Sequence, residues 1–389
     1  MAERLRIVQL NLAYDGALVS PDALLARYHT LTGWSRAVTR AGAVVHVIQR
    51  FAADSRLEAD GVIYDFVRDG PVGTPDAWTR HDRVLGVVRD ARPDVVHING
   101  LMFPGLVTAL RHGLPAHTAL VLQDHSGQVP CVAMWPLKAR STARWGRAFA
   151  DADACTFTAA ELAVPWFAVG LPRDQTVLEI PEASSEFAPL PRPDAARATG
   201  IDASPAILWV GRLDANKDPL TVLAALEIAC ARLPGAHCWM IYGDCALETT
   251  VKQRIGGSPV LRERVTLVGA VPHNELPRHY SASDIFLSGS HHEGSGYALI
   301  EAMACGLTPC VTDIPAFRAL TGSSGRRWPA GNPEACATAI LELANADRHT
   351  ARFTVRRHFD EALSWDVIGR RTVSEYGELV RRRAAAQLR

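Results

Sequence analysis

The stretch Ile285–Gly306, IFLSGSHHEGSGYALIEAMACG, reads as an apolar strand over Ile285–Ser288, a glycine-rich turn and then a helix. Gly294 and Gly296 let backbone amides approach a ligand closely, because glycine carries no side chain to hold the chain away. The first turn of the following helix leaves N–H groups unpaired, and these favour an anion. A phosphate is the obvious candidate. A strand feeding a helix through such a turn is the repeating unit of α/β proteins, which bind ligands at the carboxyl ends of their strands.

The same unit recurs in both directions along the chain. Short apolar runs separated by longer helical patterns occur at Leu5–Leu10, Val44–Gln49, Val95–Asn99, Ala119–Leu122, Ala154–Phe157 and Thr176–Ile180. A second series follows at Ala206–Val210, Cys238–Tyr242, Val265–Val268, Ile285–Ser288 and Thr308–Val311. Short, mainly apolar strands are expected in parallel sheets covered by helices on both faces, so the class is α/β with doubly wound parallel sheets. Between the series, Pro181–Pro205 contains five prolines and no sustained apolar periodicity, which predicts a linker. The chain therefore divides into a first domain over residues 1–185 and a second over 186–365. The helical spacing of Val367, Ile368, Val373, Tyr376, Leu379 and Val380 predicts a last helix, 366–389, that packs back on the first domain.

Composition narrows the function. At 389 residues, with 48% apolar and 21% charged side chains, the chain is long enough for two cores and too apolar to be disordered. Lys plus Arg and Asp plus Glu number 41 each, so no global field draws it to nucleic acid, and any anion site is local. The segment Met1–Leu10 lacks the apolar stretch of a secretory signal, and Thr156–Leu171, interrupted by Glu161 and Pro165, is short for a bilayer crossing and reads as buried strand and helix. Eight cysteines (Cys131, Cys155, Cys230, Cys238, Cys245, Cys305, Cys310, Cys336) form no metal-binding spacing, which predicts reduced thiols and a cytoplasmic protein. The basic end Arg381–Arg383 reads as a solvated helix end, with a weak peripheral membrane contact left open.

Two acidic and two basic residues are the candidate machinery. If the chain were helical from Glu293 onward, Glu293 and Glu301 would be separated by roughly 12 Å at about 1.5 Å per residue, the reach from ribose to hexose in a nucleotide sugar. Carboxylates accept hydrogen bonds from vicinal hydroxyls and repel phosphates, so their place is at the two ends of such a ligand. Arg212 and Lys217 follow the strand Ile207–Val210, where a guanidinium fork and an ammonium point charge neutralise a departing diphosphate without a metal. On spacing alone, the two glutamates serve equally well as surface charges, and an Arg and a Lys in a surface loop are more often solvated than functional.

Taken together, GRLDANKDP at 211–219 and GAVPHNELPRHYSASDIFLSGSHHEGSGYALIEAMACG at 269–306 resemble the donor domain of the family 4 glycosyltransferases. The similarity covers most of Pro205–Ala339 and extends weakly over the first half, through VVHING near Asp94 and the stretch Asp151–Phe187. The resemblance implies a GT-B fold, two Rossmann-like domains facing across a cleft, and a retaining transfer of a hexose-type sugar from a UDP- or GDP-sugar to a hydroxyl acceptor. It implies that Arg212 and Lys217 hold the donor diphosphate, that Glu293 faces the transferred sugar and that Glu301 binds the ribose. The amides near Gly294, Ser295 and Gly296 cradle sugar and phosphate, Val268 and Gly269 lie where backbone meets the base, and His125 of QDH contacts the donor sugar. No cofactor and no metal are implied; the nucleotide sugar is the substrate.

Two departures from the family pattern stand out. The Gly-Gly loop expected after the first strand is replaced by a longer segment, Asn11–Thr32, in which only Gly16 is available as a phosphate contact. The usual Asn-Gly at the linker is replaced by Pro181-Glu182-Ala183-Ser184. Tyr28, His29, Thr30 and Trp34 are candidates to line an acceptor pocket, while His97 and His117 compete with His125 as packed histidines. The rival classes are a nucleotide-sugar 2-epimerase of the same architecture and a non-catalytic nucleotide-sugar-binding protein.

Overall fold

The structure, a computed structural model, describes residues 4–70, 78–129, 137–243 and 245–387, without the side chains of 137–141. It contains two compact units, Met1–Ala183 with Trp365–Arg389, and Ser184–Ser364.

The first unit holds one sheet built from β1 (Arg6–Asn11), β2 (Val44–Phe51), β3 (Ser55–Ala59), β4 (Val62–Arg68), β5 (Val95–Asn99), β6 (Ala119–Gln123), β7 (Ala154–Phe157) and β8 (Val177–Glu179). Its order is β3-β4-β2-β1-β5-β6-β7-β8, parallel throughout except for the antiparallel pair β3–β4. β3 and β4 were not among the runs read from the sequence. Their polar–apolar alternation (SRLEA, VIYDFVR) belongs to strands with one exposed face, which a search for wholly apolar runs passes over. Asn11–Thr32, the longer segment that follows the first strand, carries the helix Pro21–Arg27, capped by the Ser20 side chain on the Ala23 N–H, and the start of the helix His29–Arg40.

Apolar residues of His29–Arg40 and of the last helix, Trp365–Gln387, join the core on one face of this sheet. Trp34 is therefore a core residue: it is buried and stacked on His97 with ring centroids 4.5 Å apart, which removes it from any pocket lining. Tyr376 of the last helix hydrogen-bonds to His97 Nδ1 at 2.6 Å, and His97 Nε2 meets Asn99 Oδ1 at 3.1 Å. Arg383 is not solvated as expected. It pairs with Asp153 and donates to the Ala116 carbonyl, while Arg381 and Arg382 pair with Glu378. Residues 388–389 of the predicted last helix lie outside the described residues.

The second unit holds β9 (Ala206–Gly211), β10 (His237–Tyr242), β11 (Val265–Gly269), β12 (Ile285–Ser288), β13 (Thr308–Thr312) and β14 (Arg326–Trp328), all parallel, in the order β11-β10-β9-β12-β13-β14. The short, basic β14 (RRW) was also missed in the sequence, having only Trp328 buried. Successive strands run outward from β9 on one side and from β12 on the other, so the winding reverses between β9 and β12. A crevice at the carboxyl ends of the strands is expected at such a point.

The segment Pro181–Pro205 is only partly a connection. Within it, Arg192–Thr199 is a helix that packs on the helix Leu276–Ala282 and belongs to the second unit. Thr156–Leu171 resolves into β7 and a 3-10 helix, Ala160–Val169. None of the seven described cysteines forms a disulfide; Cys131 lies outside the described residues. No described helix is long and apolar enough to cross a membrane.

Candidate active site

The reversal between β9 and β12 explains how residues distant in sequence meet. The loop after β9 carries Arg212 to Asp218, and the loop after β12 carries Gly289 to Gly296. Asn216 joins them: its Nδ2 donates to the His292 carbonyl at 3.1 Å, its Oδ1 accepts from the His292 N–H at 3.1 Å, and its own carbonyl accepts from His291 N at 2.9 Å. His291 Nε2 closes the seam on Asp218 Oδ2 at 3.0 Å. The contact is tight enough that a β-carbon on Gly289 would lie 2.9 Å from Val222 Cγ2 and 3.2 Å from the carbonyl oxygens of Lys217 and Asp218, so glycine is needed there.

Within this seam Lys217 Nζ forms an ion pair with Glu293 Oε1, the two side chains being 19% and 13% exposed. Asp214 sets the shape of the first loop, because its Oδ1 accepts from the Lys217 N–H at 2.9 Å and its Oδ2 from Arg212 Nε at 2.8 Å. Arg212 keeps its remaining guanidinium donors, and its side chain is 57% exposed. Burial, the largest influence on it, holds the His292 imidazole below its ordinary value, so the ring beside this cluster stays neutral near pH 7.

The segment between Glu293 and the helix departs from the continuous helix considered in the sequence. The helix is Tyr297–Ala304, and Gly296 caps it in the left-handed region at φ 68°. Glu293 is thus a loop residue, and the 12 Å separation derived for a continuous helix does not apply. Gly294, Ser295 and Gly296 are buried, and no protein acceptor among the described residues takes their backbone N–H groups. Buried amides without protein partners are costly, and an anion satisfies them.

Glu301 lies on that helix, buried, with both carboxylate oxygens held. Tyr280 OH donates to Oε2 at 3.1 Å, and His273 Nε2 meets Oε1 at 2.7 Å. Burial drives the Tyr280 phenol well above its ordinary pKa, so it remains a donor at any working pH. Val268 and Gly269 end the edge strand β11. Val268 is exposed, and Gly269 has φ 82°, with open space where a β-carbon would stand.

In the first unit, His125 follows β6 and its Nδ1 lies against Oε2 of Glu182, whose side chain is 2% exposed; burial lowers the His125 pKa to about 4, so the imidazole is neutral near pH 7. His97 is the packed histidine of the pair, held by Tyr376 and Asn99, and burial lowers its pKa to about 3. Gly16 sits in an exposed turn in which the Ala17 N–H binds the Asp15 side chain. Tyr28 OH accepts from the Asp15 N–H at 2.9 Å. At the carboxyl end of β1, Asn11 is buried and its Nδ2 has no protein partner among the described residues. Asn11, Asp214, Asn216, Tyr280 and Glu182 were not singled out in the sequence, although Asp214 and Asn216 lie inside GRLDANKDP.

The comparisons with known proteins fall on the same region. Residues 204–346 match a family described as Glycosyl transferases group 1. Over 302 residues, 75% of this chain and 76% of the relative, the sequence is 28% identical to the GDP-mannose:cellobiosyl-diphosphopolyprenol alpha-mannosyltransferase of Xanthomonas campestris. The chain is a glycosyltransferase, of the family 4 type over residues 204–346. A second relative, the D-inositol 3-phosphate glycosyltransferase of Mycolicibacterium gilvum, is 32% identical over 172 residues, 42% of this glycosyltransferase and 38% of that protein. The fold of the glycosyltransferase is GT-B. It is similar to sucrose-phosphate synthase from Thermosynechococcus elongatus, with TM-score 0.69, 21% identity and coverage of 98% of this chain and 100% of that one. It is also similar to the catalytic domain of starch synthase IV from Arabidopsis thaliana, with TM-score 0.69, 12% identity and coverage of 98% and 100%.

Proposed function

We propose that this glycosyltransferase transfers a hexose-type sugar from a UDP- or GDP-sugar to a hydroxyl acceptor with retention of anomeric configuration. The observation that carries the proposal is the seam between the loops after β9 and β12, which gathers Arg212, Lys217 and Glu293 around the buried amides of Gly294, Ser295 and Gly296. That arrangement suits a ligand with an anionic middle. Arg212 and Lys217 hold the diphosphate and stabilise charge as it departs, and the buried amides take phosphate or sugar oxygens. Glu293 accepts from hydroxyls of the transferred sugar and Glu301 from the ribose, each through acceptor capacity beyond its present partners. Val268 and Gly269 offer backbone to the base.

In this mechanism the acceptor hydroxyl attacks the anomeric carbon on the face from which the diphosphate leaves. The new C–O bond forms as the sugar–phosphate bond breaks, and the departing phosphate oxygen takes the hydroxyl proton. No side-chain base and no metal are required, since two cations already neutralise the leaving group. The relatives' names record GDP-mannose as donor in one case, and acceptors as different as a diphosphopolyprenol-linked disaccharide and an inositol phosphate. The acceptor class of this enzyme is accordingly a hydroxyl on a glycan, lipid or small molecule. Buried thiols without disulfides, six of the seven described, go with a cytoplasmic setting.

The test begins with a thermal-shift panel of nucleoside diphosphates and their sugars, which reports specific binding as a rise in melting temperature. The stabilising donor is then incubated with acceptor libraries, and the anomeric configuration of the product is read by NMR. An axial donor linkage inverted in the product ends the retaining assignment. A new sugar epimer formed from donor alone indicates a 2-epimerase, and binding without turnover across the library indicates a non-catalytic binder.

A further inference from the structure

In the first unit, the helices Pro104–Gly113 and Leu137–Asp151 pack together and leave a cavity of ≈ 380 Å3 on their outer side. That is the size of a small-molecule site. Its basic lining comprises Arg80, Arg144, Arg147 and His112, and among the described residues no carboxylate lines it. Trp78 forms one wall. Its backbone sits so close to Gly105 that a β-carbon there would fall 2.5 Å from the Trp78 carbonyl oxygen, which fixes the tryptophan at the cavity mouth. The Trp78 indole meets Trp145 edge-on at 5.2 Å, and the Arg144 guanidinium lies over it at 4.7 Å.

The charge arrangement is the informative part. Arg80 pairs with Asp82 at 3.4 Å, but Arg144 and Arg147 have no carboxylate partner among the described residues. They are three apart on one helix, where like charges face each other and destabilise it. Elsewhere on the surface arginines are commonly matched, as Arg381 and Arg382 are by Glu378. Two adjacent, unmatched guanidiniums beside an indole face are suited to an anion attached to an apolar or planar group. Guanidinium forks bind phosphate oxygens in pairs, and the indole face covers the organic part.

We propose that this cavity is a second ligand site that takes a phosphate ester, its phosphate or diphosphate held by Arg144 and Arg147 and its organic group laid on Trp78. None of its lining residues belongs to the proposed donor set, so the site stands or falls independently of the donor assignment. The ester is either a soluble molecule or the head of a lipid; both present the same chemistry.

The decisive experiment uses the full chain carrying Arg212→Ala and Lys217→Ala, so that the proposed donor pair cannot hold the probe. Calorimetric titration with phenyl phosphate and with inorganic phosphate is expected to show binding of both, with phenyl phosphate tighter. Adding Arg144→Ala and Arg147→Ala weakens both by about tenfold or more, and adding Trp78→Leu instead erases the preference for the aromatic ester. Co-sedimentation with phosphatidylcholine vesicles, with and without phosphatidic acid, separates the sources. Retention on the acidic vesicles that is lost with Arg144 and Arg147 identifies a lipid head, whereas solution binding without retention identifies a soluble ester. Melting temperatures confirm that each variant is folded, and Arg147→Glu supplies a single-site alternative. If neither probe nor vesicle binds, or if binding is unchanged when the arginines are replaced, the cavity is only a basic surface and the proposal is overturned.

Discussion

Lys217 and Glu293 stand 76 residues apart in the sequence and form an ion pair at the carboxyl ends of β9 and β12. The pairing follows from topology. The chain leaves β9 in one direction and returns through β12 alongside it, so the two following loops become neighbours, and Asn216 binds one to the other. Both side chains are largely shielded from solvent, at 19% and 13% exposure, so each depends on the other for compensation of its charge.

Replacing Lys217 with Ala is expected to lower kcat by about 100- to 1000-fold, the usual effect of losing one preorganised charge on a developing oxyanion. Stability falls by only about 1–3 kcal/mol, between the values for exposed and buried pairs. Lys217→Ala with Glu293→Ala recovers part of that stability, because no unpaired charge remains, yet recovers no turnover. Steady-state kinetics and thermal melts on the same preparations check both halves. Parent-like kcat in folded Lys217→Ala protein removes the lysine from the mechanism.

Glu301 is expected to act on donor affinity more than on the chemical step. Glu301→Gln keeps the side-chain shape but loses acceptor strength toward a diol, so KM for the nucleotide sugar and Kd for the free nucleoside diphosphate rise about tenfold, with a smaller change in kcat. Tyr280→Phe leaves Glu301 Oε2 without its buried donor and produces a weaker effect of the same kind, near 1 kcal/mol. Equilibrium titration with free nucleoside diphosphate distinguishes the two variants from the parent. Unaltered affinity in Glu301→Gln would falsify the ribose assignment.

Much of this architecture was legible in the residues. The runs at Val95–Asn99, Ala154–Phe157 and Ile285–Ser288 coincide with β5, β7 and β12, because central parallel strands are apolar on both faces. β3 and β14 escaped because they are edge strands that carry exposed charge, as RRW does, and β4 because its polar and apolar residues alternate. Arg212, Lys217 and Glu293 were legible as chemistry, and their meeting depended on strand order, which sequence spacing does not encode. The partners that position the site, Asp214 within its loop, Asn216 between the two loops and Tyr280 at Glu301, act through hydrogen bonds that leave no periodic trace. Trp34 was misread for a related reason: an aromatic in a polar stretch (YHTLTGW) looks available until the helix face it occupies is known to be the one turned to the core.

Metal independence is tested by chelation. Two cations, Arg212 and Lys217, supply the charge that a divalent ion would bring to the diphosphate, so turnover is expected to survive treatment with EDTA and to gain little from added Mg2+ or Mn2+. Initial rates across a metal series provide the measurement. A loss on chelation that any one divalent ion restores would mean that the two side chains do not suffice.

The last prediction concerns acid stability and rests on His97. The Asn99 side chain donates to Asn11, leaving its Oδ1 to accept from His97 Nε2, so that His97 Nδ1 accepts from the Tyr376 hydroxyl. This is the neutral tautomer, walled in by Trp34, and burial lowers its pKa to about 3 from the ordinary 6.5. His97 is thus neutral in the folded chain while the unfolded chain takes up a proton below about pH 6.5. Its contribution is complete above that pH and is lost as pH falls from 6.5 toward 3, at a slope approaching 1.4 kcal/mol per pH unit for one proton. His46, His125, His237, His279 and His292, all lowered chiefly by burial, tilt the acid limb the same way, so the contribution of His97 is read as a difference. Urea unfolding of parent and His97→Gln at pH 7.5, 6, 5 and 4 is expected to show the parent losing its advantage progressively, with the two free energies converging on the acid side. Parallel curves for the two proteins would show that His97 takes up its proton as readily folded as unfolded, and that the contact with Tyr376 tolerates an imidazolium.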